Sequence, residues 1–305
     1  MIYLPHNLPA AATLRAEGCA VAGYAPDRPD GLPAGVPRVL LLNLMPEKAV
    51  TELDMARALS AGGADVALLP VRIAGQVYKT TPQAHMDAFY RDFETFEGGR
   101  YAGLIVTGAP LEHLPFEQVR YWPQLCRIFA WADRHVAGTL YVCWAAQAAL
   151  YHFHGVPKHA LAAKKFGLFD QRVVQPSHPL MRGLAPAFPM PGSRHTEVRG
   201  TEVAATGVQL LAESAESGVG VACEGGVRRV YVTGHLEYAP DTLHREYLRD
   251  LAKGLPIAEP LHYYTEPGNP QSAIRHTWAG AARTFYANWL AGAAEAWRRQ
   301  CRQPF

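Results

Sequence analysis

The 305-residue sequence predicts an α/β fold with a mostly parallel, doubly wound sheet and helices on both faces. Three observations carry that expectation: short, wholly apolar runs rich in β-branched residues, helix-length segments between them, and 49% hydrophobic residues against 18% charged, enough for one large core. Residues 1–37 are expected to form an N-terminal segment that ends in a connector, APDRPDGLPAGVP at 25–37, whose Pro, Gly and Asp residues favour turns. A single α/β domain over 38–305 follows. Its strands are expected at 38–44, 65–71, 101–107 and 139–143, with helices near 46–60, 116–135 and 144–153. The strands at 168–174, 209–212, 220–223 and 229–233 lie closer together across Gly-rich turns, which predicts an antiparallel extension of the same sheet. A helix at 243–252 and a C-terminal helical segment at 274–297, carrying Trp278, Phe285, Trp289 and Trp297, close the chain.

Composition excludes several classes of partner. Lys plus Arg at 29 against Asp plus Glu at 27 gives a net charge of only +2 with the basic residues scattered, so no nucleic-acid partner is expected. No apolar stretch approaches the roughly 18 to 20 residues of a membrane helix, and the start MIYLPH lacks a secretory pattern, so neither a membrane partner nor export is expected. Five widely spaced cysteines without a CxxC pair fit a reduced compartment, hence a cytoplasmic location, and offer no zinc ribbon.

Ligands of doubly wound sheets bind beyond the carboxyl ends of the strands, and three such ends are unusual. In Leu140-Tyr141-Val142-Cys143-Trp144-Ala145-Ala146-Gln147 an apolar strand runs straight into a helix with cysteine at the junction, the pattern of a nucleophile elbow. Thiols at helix N-termini beside a cation commonly ionise readily, although most cysteines are small buried apolar residues. In Thr233-Gly234-His235-Leu236-Glu237-Tyr238 an extended segment puts His235 and Glu237 on one face, about 6.6 Å apart along the backbone, so the carboxylate can orient the imidazole. Alone that pair is an ordinary structural ion pair; together with Cys143 it completes a Cys-His-acid set. The third end, Val106-Thr107-Gly108-Ala109-Pro110-Leu111-Glu112, is a small-residue turn able to bring a backbone amide to a bound group. His152-x-His154 is not a metal site, because positions i and i+2 diverge on a helix and no acidic or cysteine ligand accompanies them, so no metal is expected. Phosphate-loop and dinucleotide-binding glycine motifs are absent, and no cofactor is expected.

These segments, with Leu42-Asn43-Leu44-Met45-Pro46 and Tyr121-Trp122-Pro123-Gln124, resemble the homoserine O-succinyltransferase/O-acetyltransferase family from about Leu8 to Trp289. The resemblance implies a fold like the class I glutamine amidotransferases, although their Gly-x-Cys-x-Gly elbow is not met, since Tyr141 and Ala145 occupy the glycine positions. It implies an acyl-CoA:L-homoserine O-acyltransferase of methionine biosynthesis, a homodimer using acyl-CoA as co-substrate. Cys143 would carry the acyl thioester, and His235, oriented by Glu237, would deprotonate the homoserine hydroxyl. The amides of Trp144 and of the 108–111 turn, Leu111 being the choice, are the oxyanion-hole candidates. Lys164 (with Lys165 adjacent), Ser193 and Arg249 match the family's substrate contacts, and Glu246 is a candidate partner for the substrate's amino group. A cation there would grip the homoserine carboxylate.

Glu112 stands where the resemblance implies a donor switch, glycine accompanying succinyl-CoA and glutamate acetyl-CoA. A carboxylate about 4 to 5 Å from the distal carboxylate of a succinyl chain costs roughly 3 to 4 kcal/mol at an effective dielectric near 20. Acetyl-CoA is therefore the expected donor, and succinyl-CoA the alternative. A glutamine amidotransferase or thiol hydrolase would use the same Cys143, His235 and Glu237, and a binding protein with a redox-responsive thiol is a third reading.

Overall fold

The structure, a computed structural model, describes residues 1–28 and 31–302; Pro29 and Asp30 of the connector, and residues 303–305, lie outside the described residues. In chain order the strands are β1 (Ile2–Pro5), β2 (Val21–Tyr24), β3 (Arg38–Leu42), β4 (Val66–Arg72), β5 (Arg91–Asp92), β6 (Tyr101–Val106), β7 (Val136–Val142), β8 (His159–Val173), β9 (Ala187–Glu197), β10 (Gln209–Ser214), β11 (Gly218–Glu224) and β12 (Arg229–Val232). The helices are α1 (Pro9–Ala16), α2 (Lys48–Ser60), α3 (Gln83–Phe89), α4 (Trp122–His135), α5 (Trp144–His154), α6 (Gly200–Ala205), α7 (Thr242–Ala252) and α8 (Ala279–Arg302). All the strands join one sheet in the order β2-β1-β4-β3-β6-β7-β12-β11-β10-β8-β9, with β5 beside β4. The pairs from β2 through to β12 are parallel, and those from β12 to β9 antiparallel, as the apolar runs and the Gly-rich turns respectively dictate.

A strand buried on both faces must be apolar at every position, and β3 shows how the alternation is used. Val39 and Leu41 pack with Met55 of α2 and Trp289 of α8, while Leu40 and Leu42 pack on the opposite face with Phe129 of α4 and Leu150 of α5. The C-terminal helix lies against β6 and β7 because glycine stands beneath it. A Cβ on Gly103 would meet the Trp289 ring at 2.7 Å, and one on Gly138 would meet the Ala293 Cβ at 2.9 Å.

Two parts of the chain depart from expectation. Residues 1–37 do not stand ahead of the sheet as a separate segment: β1 pairs in parallel with both β2 and β4, and Ile2 and Leu4 are fully buried. The expected strand at 168–174 is the end of a much longer β8, which pairs antiparallel with β9, a strand the sequence did not announce. Two smaller departures follow local chemistry. The expected helix at 116–135 begins only at Trp122, with Pro123 in its first turn, and the terminal helix begins at Ala279 rather than 274.

Trp289 is completely buried between α8 and the sheet. Trp289→Ala is expected to lower unfolding stability by about 3 to 5 kcal/mol, read as a shift in denaturant midpoint; a loss below about 1 kcal/mol would show that this helix contributes little to the core.

Candidate active site

The site starts from a strained residue. Cys143 links β7 to α5 with φ 55° and ψ −116°, a region that costs a non-glycine residue on the order of 1 to 3 kcal/mol. Hydrogen bonds hold it there. Its amide donates to the Val232 carbonyl of β12 at 2.7 Å, and its own carbonyl accepts from Ala146 and Gln147 at 3.0 and 3.3 Å, so the first turn of α5 is built on it. Gly108, at the end of β6, lies against this elbow, where a Cβ would stand 3.2 Å from the Cys143 Cβ and 3.6 Å from the Trp144 nitrogen. A side chain there would crowd the sulfur.

β12 delivers the partner groups. His235 stands within electrostatic reach of Cys143, and its Nδ1 lies 2.7 Å from Glu237 Oε1. The second Glu237 oxygen accepts a 3.3 Å hydrogen bond from the Tyr286 hydroxyl of α8, and the Tyr238 ring stacks on the imidazole with centroids 4.0 Å apart. Burial opposes a charge on the ring, but negative charge on Cys143 and Glu237, with the hydrogen bond to Glu237, outweighs it, pushing His235 up to about 10.

Beside this set, the Lys164 ammonium lies 2.7 Å from Glu246 and 3.7 Å from Asp250; Ser193 donates to Glu246 at 2.8 Å; Arg249 donates to Asp250 at 2.8 Å and stands 3.6 Å from Glu246. β8 and β9 supply Lys164 and Ser193, and α7 supplies the others. Lys165 points elsewhere, to Glu197 at 2.7 Å. The Tyr238 hydroxyl feels the charges of Glu246, Cys143 and Glu237 together, which places the cluster and the sulfur within electrostatic reach of one residue.

Glu112 directly follows the 108–111 turn. Its charge acts on His195 together with Lys164 and Glu246. Lys158 donates to the Glu112 carbonyl at 2.6 Å and the Leu114 carbonyl at 2.5 Å, fixing this loop while resting over the Phe116 ring. One expectation fails. The Leu111 amide donates to the Ala109 carbonyl at 2.8 Å, closing a tight turn forced by Pro110, and is not free to serve an oxyanion. The residue of this turn that lies against Cys143 and the Trp144 amide is Gly108. His152 packs among Trp122, Phe129 and Phe153, and His154 pairs with Glu224 at 2.9 Å, so the two imidazoles serve different neighbours.

Two groups escaped the sequence reading. Arg194, only 3% exposed, donates to the Thr196 and Ser217 carbonyls; burial lowers its pKa, and charge on Cys143 and Glu197 opposes that, so the guanidinium stands within electrostatic reach of the sulfur. No spacing marks it, although it follows Ser193. Asp54 of α2 shares a small cavity with His235, Glu237 and Tyr238; burial and the Glu237 charge raise it to about 7 against the nearby Arg57.

A family model described as homoserine O-succinyltransferase matches residues 1–295. The chain belongs to the homoserine O-succinyltransferase family. Among its relatives, a homoserine O-acetyltransferase of Parabacteroides distasonis is 48% identical over 254 residues, covering 83% of this chain and 82% of that protein. One of Bacteroides thetaiotaomicron is 44% identical over 291 residues, covering 95% and 94%. The fold is shared more widely than the family. Glutamine amidotransferase structures from Thermotoga maritima and Methylobacillus flagellatus both superpose with a TM-score of 0.50, at 12% and 11% identity. They cover 89% of this chain in each case, and 100% and 97% of their own. At that identity the likeness concerns the class I glutamine amidotransferase-like fold alone.

Two titrations probe this geometry. In Cys143→Ala the imidazole keeps its burial and Glu237 but loses the sulfur's charge, so NMR titration should find His235 well below about 10; an unmoved value would separate the two groups. For Asp54 the folded pKa of about 7 exceeds its ordinary 3.8. The folded state therefore binds this proton more tightly, and stability is lost as pH rises from about 4 through about 7. Asp54→Asn should remove that loss, on the order of 2 to 4 kcal/mol, so that wild type minus variant stability falls between pH 5 and pH 8.

Proposed function

We propose that the chain is an acyl-CoA:L-homoserine O-acyltransferase that favours acetyl-CoA and works through an acyl thioester on Cys143. The observation that carries this is the meeting of the Cys143-His235-Glu237 set with a charge-balanced cluster at Tyr238. Two cations, Lys164 and Arg249, and two carboxylates, Glu246 and Asp250, match the two charges of an amino acid zwitterion. Arg249 and Lys164 take the homoserine carboxylate, Glu246 its ammonium, and Ser193 helps to hold Glu246 in place.

The chemistry divides into two half-reactions. The Cys143 sulfur attacks the carbonyl carbon of the acyl-CoA; the oxyanion is met by the Trp144 amide at the N-terminus of α5 and by the Gly108 side of the neighbouring turn. The carbon–sulfur bond to coenzyme A then breaks, and the departing thiolate takes the proton from the His235 imidazolium. Homoserine binds next. Neutral His235 removes its hydroxyl proton as the oxygen attacks the acyl carbon, the bond to Cys143 breaks, and the O-acylhomoserine leaves behind the original thiolate and imidazolium. Glu237, tied to Tyr286, holds the ring in the tautomer both steps require. No cofactor enters either step, and acyl-CoA is consumed as co-substrate. No helix among the described residues is long and apolar enough to cross a membrane. The family resemblance supports a cytoplasmic homodimer placed in methionine biosynthesis.

The names of the similar relatives and the Glu112 carboxylate both support acetyl over succinyl. Incubation with acetyl-CoA and no acceptor should release coenzyme A and leave one acetyl group on the peptide bearing Cys143, and Cys143→Ala should abolish both; glutaminase activity without acyl transfer would sink the reading. Glu112→Gly should shift the ratio of acetyl-CoA to succinyl-CoA efficiency toward succinyl by about 10- to 100-fold, and an unchanged ratio would remove Glu112 as the selector.

A further inference from the structure

The cluster around Glu246 is charge-balanced, its cations paired with Glu246 and Asp250, so it suits an amino acid and offers no surplus positive charge to a polyanion. Coenzyme A is a long amide arm ending in phosphates, and it needs a different approach to Cys143. Such an approach exists. A cleft of about 320 Å³ opens beyond the carboxyl ends of β3, β4 and β6, where doubly wound sheets bind ligands, and its size falls within the range of small-molecule sites. Met45 lines both this cleft and the small cavity around His235 and Glu237, so the two spaces share a wall.

That wall is built. Lys48 donates to the Asn43 and Met45 carbonyls, both at 2.7 Å, and the Leu44 amide donates to Thr107 Oγ1 at 2.7 Å, tying the turn after β3 to the turn that carries Gly108 and Leu111. Three cations, Lys48, Arg72 and Lys79, line the cleft, and among the described residues no carboxylate does. Arg72 is paired with Asp87 and Asp92, and Lys48 is buried on its two carbonyls. Lys79 differs: it is exposed and makes no hydrogen bond or ion pair among the described residues. Next to it stands Val77, 75% exposed, an apolar side chain facing solvent at the rim of a functional-sized cleft.

Resting on the acyl-CoA reading above, we propose that this cleft holds the coenzyme A portion of the donor. Its amide arm lies along Val77, Leu111 and Tyr121, its phosphates lie at Lys79, and its thioester passes Met45 to reach Cys143. The two substrates thus reach one sulfur by separate approaches, acyl-CoA past Met45 and homoserine past Tyr238.

The test compares acetyl-CoA with acetyl-pantetheine, which lacks the nucleotide phosphates. Lys79→Glu should raise the KM for acetyl-CoA about tenfold and reduce the preference for acetyl-CoA over acetyl-pantetheine by a similar factor, whereas Val77→Asp should raise the KM for both donors. Arg299→Glu, a charge reversal on the exposed face of α8, controls for net charge and should move neither. Independently of turnover, coenzyme A alone should protect Lys79 from an amine-reactive label, and homoserine alone should not. A protein that transfers acetyl from acetyl-CoA, yet shows unmoved KM values in both variants and unprotected Lys79, overturns the cleft assignment only. One that transfers no acetyl from acetyl-CoA overturns the parent reading and the cleft with it.

Discussion

The site depends on Cys143 being held in a backbone conformation that cysteine does not favour. With φ at 55° the residue turns sharply from β7 into α5, and the turn lifts the thiol out of the sheet toward His235. The strain is offset by bonds that belong to the fold: the Cys143 amide on β12, its carbonyl at the start of α5, and the parallel register of β7 with β12 from Thr139 to Val142. The same register fixes where β12 ends, and hence where His235 and Glu237 begin. Sheet pairing and site geometry are therefore one constraint, and a slip of one residue would turn the sulfur to the other face of the sheet.

The C-terminal helix extends that constraint to the far side of the molecule. Gly103 and Gly138 leave room for Trp289 and Ala293, and this close approach brings the Tyr286 hydroxyl to the second oxygen of Glu237. Core packing thus sets the orientation of a group that touches the imidazole. Of the aromatic residues of α8, Phe285, Tyr286 and Trp289 are core residues.

What the sequence made legible follows from which physical signals are local. The parallel strands were plain because burial on both faces leaves them almost wholly apolar, and the elbow was plain because a strand ending in cysteine and running into a helix is unusual. The β8–β9 hairpin was not, because its strands are half exposed, carry Lys164, Lys165 and Arg194, and include Pro189 and Pro191, all signals that ordinarily argue against a strand. β1 and β2 are four residues each, too short for periodicity to show. Arg194 and Asp54 join the site only through tertiary contact. The Leu111 assignment failed for a reason visible only in three dimensions, since the turn consumes that amide internally.

If Glu112 selects the donor as proposed, its charge acts on that choice together with the cations around it. An isolated carboxylate would repel a succinyl chain by the full Coulomb figure of roughly 3 to 4 kcal/mol, several hundredfold in rate. Glu112 is not isolated. Lys158 is pinned to the carbonyls of Glu112 and Leu114, so its ammonium cannot swing away, and Lys164 acts on the same neighbourhood through His195. Each cation attracts a distal carboxylate that Glu112 repels, so the net discrimination must be smaller than the bare pair would give. On the donor selection proposed above, one side chain sets the sign of the field that a distal carboxylate meets, and the neighbouring cations oppose it.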